Sequence, residues 1–171
     1  MEDLASAWEQ FTGVLKRYSK AFASLNEPCP SEKIRQAERD LGFELPELLV
    51  RLLELSDGQK PDTPGIFKSI SGWDLYRRHI FLDVDSIVAV YRHYVEDEQL
   101  MAQFPGEVPF AAEKRSSCWD EVFAIHRETR KVSLIWTSAA DPTLPPEWQF
   151  HLFGRGETLA DFLRWQVTLY R

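Results

Sequence analysis

The chain predicts an α+β domain with a mostly antiparallel sheet, on three observations. Apolar residues recur at helical spacing at both ends, β-branched and aromatic runs gather in the middle, and 171 residues leave room for one core. A hydrophobic share of 44% and an aromatic share of 13% suffice to fill that core. Lys and Arg total 20 against 27 Asp and Glu, a formal charge of -7. This balance repels nucleic-acid phosphates and anionic lipid, so neither is expected as a partner, and it favours basic proteins through steering.

A helix is expected first, within residues 1–27. Between Asp3 and Leu25 the residues Leu4, Trp8, Phe11, Leu15, Tyr18, Phe22 and Leu25 alternate steps of four and three, painting one stripe. Such a stripe serves a coiled-coil seam or a globular core. Its bulky aromatics favour the core, and a monomer is therefore expected. Asn26, Pro28 and Pro30 stop the helix. Residues 31–58 read as two helices around a tight turn: Ile34, Ala37 and Leu41 mark the first, and Leu48, Leu49, Leu52 and Leu53 the second. Ser31 is placed to cap the first helix, Gly42 to end it, Pro46 to open the second and Gly58, after Asp57, to close it.

The run QKPDTPG after Gly58 is a loop by composition, and residues 64–153 hold the sheet with one inserted helix. Ile66, Phe67 and Ile70, then Trp73, Leu75 and Phe81, suggest short strands. Asp85 is the expected N-cap of a helix burying Ile87, Val88, Tyr91, Tyr94 and Val95. Val122 to His126 and Val132 to Trp136 form a β-hairpin around polar residues 128–131. The proline-rich segment from Ala139 to Trp148 is a surface loop. Thr158 followed by Asp161 approximates a capping box, opening a terminal helix within 157–171 with Leu159, Phe162, Leu163 and Tyr170 on its apolar edge.

Chemistry is harder to place. His79, His93, His126 and His151 are dispersed, Asp83-Val84-Asp85 could form a DxD-type cation site but the helix beginning just afterwards gives Asp85 a sufficient structural use, and neither a metal nor a cofactor is expected. Gly154-Arg155-Gly156 lacks the third glycine and the Lys-Ser/Thr pair of a phosphate loop. Ser116, Ser117 and Cys118 would need a base close in space, which clustering of Cys118 with His126 would supply. Asp120 and Glu121, adjacent in a strand, point to opposite faces and do not act as a carboxylate pair. No catalytic constellation emerges. What remains is a recognition surface: Trp73, Tyr76 and Trp119 beside Asp74, Asp120 and Glu121, extended by Asp57 and Asp62. Cys29 and Cys118 are read as reduced thiols, and the acidic N-terminus lacks the basic and apolar regions of a signal peptide, so a cytoplasmic location is expected.

Ile34, Glu38, Leu41, Gly42, Leu45, Pro46, Leu53, Asp57 and Gly58 together resemble the opening of the SUKH superfamily, the Smi/Knr-like proteins. The resemblance implies the SUKH fold over a single domain, 1–171, with the first long helix as an addition. It also implies a noncatalytic binding protein. Bacterial members of the superfamily are immunity proteins that neutralise a cognate toxin domain of polymorphic toxin systems, and fungal relatives are regulators or scaffolds of cell-wall synthesis. The chain departs from the family pattern at Glu113 to Trp119, where EKRSSCW stands in place of a Gly-containing turn.

Overall fold

The computed structural model describes residues 4–71, 75–96, 105–115, 118–136, 150–151 and 158–170. Among them the order is α1 (Leu4–Leu15), α2 (Ser19–Phe22), α3 (Ser31–Leu41), α4 (Glu47–Leu53), β1 (Phe67–Ser71), β2 (Leu75–Phe81), α5 (Val84–Glu96), β3 (Glu107–Arg115), β4 (Cys118–His126), β5 (Val132–Trp136), β6 (Phe150–His151) and α6 (Leu159–Leu169). The strands lie in chain order, each antiparallel to the next, so the fold is α+β as the sequence implies. Phe67, Phe81, Phe110 and Phe123, one from each of the first four strands, meet Phe11 of α1 and Phe162 of α6. Their ring centroids are 4.8 to 6.3 Å apart. These six rings are fully buried and join both terminal helices to one face of the sheet.

The first helix is shorter than its stripe. Leu15 is fully buried, whereas Tyr18 and Phe22 are 43% and 38% exposed, so the core under the stripe ends at Leu15. The chain turns there, adds the single-turn α2, and then runs beside the loop after α4: Asn26 N–H donates to Gly58 O and Lys60 N–H to Ser24 O. Backbone pairing with residues 58–60 has displaced helix.

In the two-helix unit, Gly42 is left-handed with φ 78° and ends α3. Glu38 stitches the turn twice, through its carbonyl to Gly42 N–H at 2.9 Å and through its carboxylate to Leu45 N–H at 3.0 Å. Three expectations are corrected. Ser31 makes no capping bond, because Pro30 holds the cap position and its carbonyl accepts from Lys33 and Ile34. Gly58 does not close α4, which ends at Leu53; it serves a close approach instead, since a Cβ there would lie 2.3 Å from Asp83 N. Asp85 does not cap α5; the Asp83 carboxylate accepts from Ser86 N–H at 2.7 Å, and Asp85 falls in the first turn.

The hairpin β4–β5 forms as expected, closing with His126 N–H to Lys131 O at 2.9 Å. Between Glu113 and Lys114 the register of β3 shifts against β4, leaving Asp120, directly after the EKRSSCW departure, as an extra residue on β4. The capping box of α6 is complete, with Thr158 and Asp161 bonding each other's backbone. The Ala139 to Trp148 loop and Gly154 to Gly156 lie outside the described residues.

Candidate functional site

Asp57 organises the junction of three elements. Its Oδ1 accepts from Val84 N–H at 2.8 Å at the start of α5, and its Oδ2 lies 2.8 Å from Lys33 Nζ on α3. Lys33 also reaches Asp85 at 3.0 Å. Burial opposes the Lys33 charge, but hydrogen bonds to Asp57 and Asp85 outweigh it and hold the ammonium above its usual range. Burial and the nearby Asp57 charge push the Cys29 thiol up to about 12, so it is a packed, unreactive group. Asp57 itself is only 9% exposed, which makes it a fastening within the fold and not part of an open patch.

Immediately beyond, the chain builds a groove. Pro61 and Asp62 turn the loop, Asp62 taking a left-handed φ of 63°, which a short Asp side chain tolerates. Gln59 fixes the loop to the sheet: its Oε1 accepts from Phe81 N–H at 2.9 Å and Ile66 N–H at 3.2 Å, while its Nε2 donates to Ser24 Oγ at 2.7 Å. The resulting depression of about 340 Å³ is lined by Gln59, Asp62, Ile80, Leu82, Asp83 and Ser86. Among the described residues no Lys or Arg pairs with Asp62 or Asp83, and the nearest loop cation, Lys60, donates to Ala23 O. An apolar lining beside the exposed Asp62, with Asp83 engaged in capping α5, suits a cationic side chain from another protein.

Glu121 is elsewhere and inside. It is 1% exposed, accepts from the Ser69 hydroxyl, lies 3.0 Å from His79 Nε2, and lies 3.1 Å from Arg77 Nη1, which also faces Glu113 at 3.3 Å. This corrects its expected place on the surface: the face of β4 carrying Glu121 also carries Phe123, and both are covered. Burial pushes the Glu121 carboxyl up, but the hydrogen bond and charge of His79, then Ser69 and Arg77, outweigh it and hold it below the ordinary carboxylate range. Its ionised form therefore favours the folded state, a contribution present above the ordinary range and lost as pH falls through the lowered value.

Tyr76 pairs in register with Ile70, and Trp119 with Lys114, so both sit at the opposite end of the sheet from the groove. Tyr76 and Ile80 are four residues apart on β2, about 14 Å at the antiparallel rise. Trp73 and Asp74 lie outside the described residues, as do the side chains of Tyr76, Trp119 and Asp120. The expected single patch is thus two regions, with Asp62 alone of the expected residues on the groove. Asp83 and Gln59 were not foreseen as lining it; no local pattern marks a Gln whose five side-chain bonds reach Ser24, Thr63, Pro64, Ile66 and Phe81.

Of the expected nucleophile candidates, Ser116 and Ser117 lie outside the described residues. Cys118 and His126 open and close β4, eight residues apart and roughly 27 Å at the strand rise. Among the described residues no group of three or more His, Cys, Asp or Glu is placed to hold a metal ion, and no helix is long and apolar enough to cross a membrane.

No curated protein matches the chain. A family model, the SMI1 / KNR4 family (SUKH-1), matches residues 28–164, spanning the two-helix unit, the sheet and the first half of α6. With that match over most of its length, on a fold of the expected α+β kind, the chain belongs to the SMI1 / KNR4 family (SUKH-1).

Proposed function

We propose that this protein is a noncatalytic immunity protein that binds and neutralises a cognate, basic toxin domain in the cytoplasm. The observation that carries the reading is the groove lined by Asp62, Asp83 and Ile80, an acidic depression in which, among the described residues, no Lys or Arg pairs with either carboxylate. The formal charge of -7 supports it by steering a basic partner toward this face. The backbone positions of Tyr76 and Trp119 lie at the other end of the sheet, and with Trp73, Asp74 and Asp120 they are proposed as a second contact region for a partner large enough to span both. The protein acts as a monomer, uses no cofactor or metal, and contacts neither nucleic acid nor membrane.

The test is growth rescue with the toxin-like domain encoded beside this gene. Co-production of this chain is expected to restore growth, and the purified pair to associate more weakly as salt rises. Asp62→Lys, at an exposed residue outside the α5 cap, is expected to reduce affinity about tenfold, chiefly through the association rate. Toxicity unchanged by the wild-type chain, with no complex at low salt, would overturn the immunity reading and return the protein to the Smi/Knr type of regulatory scaffold.

A further inference from the structure

Glu107 is the first residue of β3, directly after Gly106, whose φ of 85° sets the turn into the sheet. Its register partner is His126, and Ala124, two residues before, pairs with Ser133 of β5. Residues in register share a face, so Glu107, His126 and Ser133 project to one side. Glu107 Oε2 and Ser133 Oγ are both closed off from solvent and, among the described residues, without a hydrogen-bond partner. Interiors seldom leave such atoms unmatched, and an ionised carboxylate there is especially unfavourable.

The charged groups around it are engaged elsewhere. His126 uses Nδ1 to accept from Glu128 and Thr129 N–H at 3.2 Å, and Arg127 lies over the Phe43 ring at 4.4 Å. Arg130 faces Glu47 at 3.7 Å, Glu128 and Lys131 are exposed, and further along β3 Glu113 is held by Arg77. Among the described residues, then, no cation compensates Glu107. Burial pushes its carboxyl up to about 7; the Ser133 hydroxyl is near enough to temper the rise but makes no well-formed hydrogen bond.

We propose that Glu107 is a proton-controlled latch at the entry to β3, holding residues 105–107 on the β4–β5 hairpin when neutral and releasing them when ionised. The step is one deprotonation, in which the acid O–H breaks and the proton passes to water. Release breaks the bond from Arg127 N–H to Gly106 O, 2.9 Å in the closed form, and loosens the hairpin tip that touches Phe43 and Glu47 of the two-helix unit. Opening rises with pH, because the open state ionises in the ordinary carboxylate range and the closed state only at the higher value. Between those values the open-to-closed ratio grows about tenfold per pH unit, and above the higher one it levels off.

The test is carboxyl-carbon NMR of the full chain with labelled Glu, from pH 4 to 9, beside amide exchange at Arg127 in wild type and Glu107→Gln. A Glu107 midpoint near 7, with Arg127 protection falling across that window in wild type and constant in Glu107→Gln, is the expected result. A midpoint in the ordinary carboxylate range, or identical Arg127 protection in both proteins, would overturn the latch. If Glu107→Gln does not fold, Arg127 protection in wild type decides: a fall across the Glu107 titration supports the latch, and constant protection overturns it.

Discussion

At the scale of single residues, acids of similar chemistry in this chain have unlike roles, and burial decides which. Asp62 is exposed and faces a groove; Asp57, five residues earlier, is 9% exposed and bonded to α3 and α5 at once. Asp57→Ala is expected to lower unfolding stability by about 2 kcal/mol, for a charge-assisted cap on α5 and a half-exposed ion pair that adds little. Asp57→Asn, which keeps an acceptor for Val84 N–H, is expected to lose about half of that. Urea unfolding measures both, while partner affinity of the folded variants is expected to stay at the wild-type level. A stable Asp57→Ala with lost affinity would instead place Asp57 at the interface. The sequence marked Asp57 as special but not why, since its two partners are 24 and 27 residues away.

Among the elements, those written in local pattern were legible and those set by distant contact were not. Gly42, the Thr158–Asp161 box and the β4–β5 hairpin each follow from neighbours within a few residues, and each is present. The end of α1 is not local: the stripe continues in sequence to Leu25, but the surface it would cover stops at Leu15. The groove was illegible for the same reason, because its walls come from separate segments joined by Gln59. Likewise no pattern announces that α6 guards the sheet edge. Gln166, fully buried, donates to Lys68 O at 2.9 Å and accepts from Lys68 N–H at 2.8 Å, occupying the outer side of β1 where another strand would pair. Gln166→Ala leaves two backbone groups without that partner, and a loss of roughly 2–3 kcal/mol is expected, with greater self-association on warming. Light scattering during thermal unfolding checks it; a variant as stable and as monodisperse as wild type would mean that water replaces the amide at no penalty.

For the whole molecule, the boundaries of the family and of the core differ. The family match covers 28–164, yet Trp8, Phe11 and Leu15 before it, and Val167 and Tyr170 after it, are buried in the same core. Phe11 stacks on Phe67 at 5.4 Å and meets Tyr170 at 6.1 Å, while Trp8 abuts Phe81 at 6.1 Å. Tyr170 donates to Ile66 O at 2.6 Å, tying the end of α6 to the start of β1. Burying each large side chain contributes about 1.5–3 kcal/mol, so these five together rival the roughly 5–15 kcal/mol by which a domain is stable at all. A chain cut to residues 28–164 is therefore expected to lose cooperative unfolding, to show collapsed near-ultraviolet circular dichroism and to bind hydrophobic dye. Phe11→Ala in the full chain, which removes one ring of the set, is expected to remain folded but about 3–5 kcal/mol less stable. If the shortened chain instead unfolded cooperatively at the wild-type midpoint, α1 would be an appendage on a self-sufficient family domain, and its aromatic stripe would need a different explanation.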